Sequence, residues 1–79
     1  MEQYYRTSDF YLTAYLITKG IKREKTEEEG DKCVFVFVNS IEIKSLVNDF
    51  FDGNALIDPL KYSREIKDLK TLIRSRISG

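Results

Sequence analysis

The chain has 79 residues, with 13 basic and 13 acidic side chains, so it is one small domain of zero formal charge. Its pI is near 6.2, which excludes a chain that binds polyanions or membrane surfaces through bulk charge. There is no His, which removes the commonest general base and most zinc sites, and one Cys, which excludes an internal disulfide and points to a reducing, cytoplasmic compartment.

Met1-Glu2-Gln3-Tyr4-Tyr5-Arg6 does not read as a secretory signal. Thr7-Ser8-Asp9 reads as a helix N-terminus, with hydroxyl caps and an acid in the first turn. The helix is expected over about residues 8–19 and stops at Gly20, suited to a left-handed cap. On a helical wheel Phe10, Ala14 and Ile17 share one side, Leu12 and Leu16 lie nearly opposite, and Tyr11 and Tyr15 fall between. A helix apolar nearly all round needs cover on several sides. A homodimer is therefore expected, with Tyr11 and Tyr15 as the candidate self-association residues.

Ile21 to Glu28 has β-formers at Ile21 and Thr26 among charges, the pattern of a solvated edge strand. Glu29-Gly30-Asp31 makes a turn. Cys33-Val34-Phe35-Val36-Phe37-Val38 is apolar on both faces, as in a central strand covered on both sides, and it is far too short to cross a bilayer. Asn39 then caps a helix over about residues 40–52, with Glu42 at its third position. Ile43, Leu46, Val47, Phe50 and Phe51 form one apolar face, and Gly53 ends it. Ala55-Leu56-Ile57 is a short strand candidate. Asp58 caps a third helix over about residues 59–76, with Pro59 in first position and Tyr62, Ile66, Leu69, Ile73 and Ile77 on one face. The order is α-β-β-α-β-α. The fold expected is α+β, one domain over residues 1–79, with a small sheet and β-hairpin packed by three helices.

Several stretches resemble a family of small prokaryotic proteins catalogued only as a domain of unknown function. They are Thr7-Ser8-Asp9-Phe10-Tyr11-Leu12-Thr13-Ala14-Tyr15-Leu16, Gly20-Ile21, Phe35-Val36-Phe37, Phe50-Phe51-Asp52-Gly53 and Asp58. The family opens with Thr-x-Asp-[Leu/Phe]-Tyr-Leu-x-Ala-[Tyr/Phe]-Leu and ends in a Leu/Lys-rich helix. The resemblance runs over about residues 7–77 and implies a self-contained module. It brings no activity, cofactor or catalytic residue.

No phosphate-binding loop, dinucleotide fingerprint, zinc-protease motif, nucleophile elbow or EF-hand loop is present. Glu27, Glu28, Glu29 and Asp31 have the oxygen chemistry of a hard-cation site, but neighbours on a strand point to opposite faces, so a solvated hairpin is expected. Glu42, Asp49 and Asp52, beside Ser45, lie on the outer side of the second helix. A metal nuclease would need further converging acids, so pairing with a Lys or Arg is expected instead. Charge is divided along the chain: 7 basic and 11 acidic residues up to Leu60, against 6 and 2 beyond it. Lys67, Lys70 and Arg74 make a basic stripe, with Arg64 further round. It is either a phosphate-contacting surface or the partner of Asp49 and Asp52, and the pairing is favoured because nucleic-acid domains more often have a pI above 9. Tyr4, Tyr5, Phe10, Tyr11 and Tyr15 are expected in core or interface rather than stacked on bases. Cys33 reads as an inert core residue.

The charged fraction of 33%, led by Lys and Glu, has the bias of heat-adapted proteins. The function expected is a non-enzymatic interaction module, self-associating in a cytoplasmic assembly. A nucleic-acid-associated accessory protein is the alternative. No cofactor, metal, membrane or small-molecule substrate is implied.

Overall fold

The computed structural model describes residues 2–78, the last two by backbone alone, so the side chain of Ile77 lies outside the described residues. In chain order the elements are β1 (Tyr4–Thr7), α1 (Phe10–Thr18), β2 (Arg23–Glu29), β3 (Lys32–Val38), α2 (Ile41–Phe51) and α3 (Pro59–Ser78). The strands form one antiparallel sheet in the order β1-β3-β2, with the apolar strand in the middle as expected. The α+β class, the hairpin and the three helices agree with the sequence.

Two elements of the expected order are corrected. Residues 4–7 form a strand ahead of the first helix, and residues 55–57 are not a strand. The reason is competition for one partner. β3 has two edges; β2 takes one through the tight hairpin, and β1 takes the other in the register Tyr4↔Val38 to Thr7↔Phe35. That leaves 55–57 no edge of the central strand. Ala55 and Ile57 pack on the core instead, while Leu56 points into solvent.

Asp9, expected in the first turn behind hydroxyl caps, is itself the cap of α1, accepting from the Leu12 amide at 3.0 Å. At the other end the Gly20 and Ile21 amides donate to the Ile17 and Leu16 carbonyls. This double closure requires the positive φ that Gly20 adopts. Leu12 through Leu16 are all buried, which covers every side of the helix. α1 packs on α2, α3 and β1, with Tyr11 left exposed.

Ser40, not Asn39, caps α2, its Oγ accepting from the Ile43 amide at 3.1 Å. Asn39 is held by the N-terminal segment: its amide donates to the Gln3 carbonyl, and its Nδ2 to the Glu2 carbonyl at 3.0 Å. The cap therefore moves one residue along. Ile43 is buried and Leu46, Val47 and Phe50 pack behind it, but Phe51 turns outward. Asp58 caps α3 through the Leu60 amide at 2.9 Å, as expected, and Tyr62, Ile66, Leu69 and Ile73 face the core.

All three helices gather on the face of the sheet that carries Phe35 and Phe37. Val34 and Val36 point to the other face, yet both are buried and Val36 is fully so. The register sets Arg6 and Lys25 on either side of Val36, and Glu27 beside Val34. Arg6 of β1 ion-pairs with Glu27 of β2, spanning the central strand, and Lys25 joins Glu27 at 3.5 Å. The aliphatic stems of these charged side chains take the place of a second layer. No helix among the described residues is long and apolar enough to cross a membrane.

Candidate functional site

The two tyrosines expected to mediate self-association have opposite fates. Tyr15 is only 2% exposed, set against Phe50 with ring centroids 5.5 Å apart, and Lys19 lies 5.8 Å over its ring. It belongs to the chain's own core, and this corrects its place in the expected interface. The wheel could not tell cover by α2 and α3 from cover by a second copy. Tyr11 is 55% exposed, packed edge-on to Phe10, and its carbonyl accepts from the Tyr62 hydroxyl at 3.3 Å. Burial raises the pKa of Tyr15, and Asp49 raises it further. Tyr62 is raised by burial and then by Asp9 and Tyr11, and Tyr5 by burial and then by Asp9.

Lys67, Lys70 and Arg74 are exposed on one flank of α3. Among the described residues neither Lys67 nor Lys70 forms an ion pair with Asp49 or Asp52, so the two lysines do not make the expected pairing. The cause is architectural: α1 packs on both α2 and α3 and lies between them. The Thr71 hydroxyl donates to the Lys67 carbonyl at 3.1 Å. The same helix bears Glu65 and Asp68 on its opposite flank, where they line a shallow cleft of about 490 Å³ with Ile17, Ile21, Lys22 and Arg23.

Two of the four hairpin acids pair rather than converge. Glu27 takes Arg6 and Lys25, and Glu28 takes Arg76 at 3.3 Å. Among the described residues no group of three or more His, Cys, Asp or Glu side chains is arranged to hold a metal ion. Cys33 is a half-buried free thiol packed against the core.

Two surfaces escaped the sequence reading. A groove of about 640 Å³ runs between β1 and α2, lined by Tyr4, Tyr5 and Arg6 on one side and Ile43, Lys44, Val47 and Asn48 on the other, with Glu2 and Asn39 at its end. Its signal was present in the β-forming residues Tyr4, Tyr5 and Thr7. The second surface is the connection from α2 to α3. Phe51, Leu56 and Leu60 are 63%, 78% and 76% exposed within ten residues of chain, while Ala55 and Ile57 between them turn inward.

Compared with known proteins, the chain matches the model of one family over residues 2–75: Domain of unknown function (DUF5659). The chain belongs to this family. Membership spans nearly the whole fold, in keeping with the resemblance seen in the sequence. No curated protein and no solved structure matches it.

Proposed function

We propose that this chain is a non-enzymatic protein-interaction module that self-associates within a cytoplasmic assembly. The observation that carries the reading is the exposed apolar segment at Phe51, Leu56 and Leu60, with Tyr11 and Ile41 exposed besides. Each fully exposed Leu or Phe forgoes roughly 1.5–3 kcal/mol of burial, and exposed apolar residues gathered on one short segment mark interaction surfaces. The lone, half-buried Cys33 suits a reducing compartment. A photo-crosslinking side chain in place of Leu56 tests the reading in the native cell. An adduct of defined mass that Phe51→Ser with Leu60→Ser removes is expected. No adduct from Leu56, with the protein folded and abundant, would overturn it.

A second reading is a nucleic-acid-associated protein, favoured by the exposure of Lys67 and Lys70 away from the α2 acids. A labelled-oligonucleotide titration at two salt concentrations separates the two. Binding that survives physiological salt and is lost in Lys67→Ala, Lys70→Ala and Arg74→Ala together would replace the first reading with the second. Each phosphate contact removed should flatten the log–log salt slope by about 0.7–0.9.

A further inference from the structure

We propose that the outer ridge of α3 docks an acidic, amphipathic helix of another protein. The inference rests on the interaction reading above and gives the partner its chemistry.

Helix geometry supplies the first argument. Leu60, Arg64, Lys67, Thr71 and Arg74 follow one another at alternating intervals of four and three residues, which sets them in one seam about 21 Å long. All five are exposed. Tyr62, Ile66, Leu69 and Ile73, which face the core, lie nearly opposite on the helix, so the seam is the part of α3 turned furthest from its own fold.

The seam also carries one sign. Arg64, Lys67 and Arg74, with Lys70 beside them, have no acid among them, because Glu65 and Asp68 lie on the flank that lines the cleft with Ile17 and Ile21. Like charges three and four residues apart repel each other, where opposite signs would support the helix. Among the described residues Arg64, Lys67 and Lys70 form no ion pair. The charge that the fold leaves unbalanced here is complementary to acids supplied from outside.

Leu60 decides the class of partner. It heads the seam at 76% exposed, and Leu56, four residues earlier, is 78% exposed. A phosphate backbone gives them no apolar cover and meets Asp58, whose carboxylate caps the same turn through the Leu60 amide. An anionic bilayer that took in Leu60 would meet the same carboxylate. A peptide can instead place an apolar side chain at Leu60 and acids along the rest. Spacing selects a helix over a strand. Seam positions on a helix recur about every 5 Å, in step with those of α3, whereas one face of a strand repeats about every 6.7 Å and is out of step by about 6 Å at Arg74.

Fluorescence anisotropy at physiological salt tests this with a labelled probe, a Glu–Leu helix of about 15 residues with its leucines on one side. The comparisons are the same helix with Lys in place of Glu, polyglutamate of equal length, a single-stranded oligonucleotide of equal charge, and vesicles of an anionic phospholipid. The Glu–Leu helix should bind about tenfold or more tightly than any of these. Lys67→Glu with Lys70→Glu should reverse the choice, losing the Glu–Leu helix and gaining the Lys–Leu one, with circular dichroism showing the fold intact. Leu60→Ser should weaken binding several-fold and leave the preference for acid in place. A wild type that takes both helices equally would reduce the contact to apolar adhesion and overturn the inference. A wild type that takes neither, or that prefers the oligonucleotide or the vesicles, would overturn it as well. In each of those cases a crosslinked adduct from Leu56 would leave the interaction reading standing, and the absence of that adduct would end both.

Discussion

The two faces of β3 solve the same problem by different means. Phe35 and Phe37 point into a layer of three helices, and Val34 and Val36 point to a face with no helix over it. Both sets are buried. On the second face the cover is the Arg6–Glu27–Lys25 chain of ion-paired side chains, drawn across the central strand from its two neighbours. Full burial of a strand therefore does not require two layers of secondary structure, since long charged side chains can lay their stems over small β-branched ones. The helix face needs shape complementarity; the other needs only length and opposite sign.

The largest break in that comparison comes from Phe35→Ala on the helix side. It opens a void among Leu12, Leu16 and Leu69 and should cost about 3–5 kcal/mol in denaturant unfolding. A loss below about 1 kcal/mol would mean the helices do not depend on that ring. Val36→Ala, on the other face, removes two methyl-sized groups at roughly 0.8 kcal/mol each, a loss of about 1.5 kcal/mol. If it equalled the loss for Phe35, the bare face would be as closely packed as the covered one.

Thr26 sharpens the contrast in the opposite direction. It pairs across from Phe35, and its Oγ1 is buried with no hydrogen-bond partner among the described residues. Thr26→Val keeps the shape and removes the hydroxyl, so stability should rise by about 1 kcal/mol and the melting temperature by roughly 4–8 °C. A fall on calorimetry would show that the hydroxyl is satisfied. Glu27→Gln should cost about 0.2–1 kcal/mol and should cost almost nothing in molar salt, because the strap is exposed enough to be screened. A salt-independent loss would mark the strap as rigidly packed.

The smallest effect at neutral pH belongs to Tyr15→Phe. Burial and Asp49 raise the Tyr15 pKa above its ordinary value of about 10. The unfolded chain then releases the phenol proton first, so stability is whole below about pH 10 and falls as pH climbs toward the folded value. Thermal melts at about pH 9 and pH 11 should show a smaller alkaline loss in the Phe variant. An unchanged loss would assign it to Tyr62 or Tyr5.

Local chemistry by itself determined most of the elements. The alternation of Val and Phe from Cys33 to Val38, the cap at Asp58, and the stops at Gly20 and Gly53 act within a few residues, so they can be read without knowing the neighbours. Two caps are misplaced: the first passes from the expected hydroxyls to Asp9, and Asn39 yields to Ser40 because Asn39 is claimed by Glu2 and Gln3, 37 and 36 residues away. What only the tertiary structure decided is who meets whom. Residues 4–7 won the second edge of β3 over 55–57, Tyr15 went into the core and Tyr11 out of it, and α1 came between the α3 lysines and the α2 acids. Each of these is a competition between distant segments for one surface. Local propensity measures what a segment can form, and only packing settles which partner it gets.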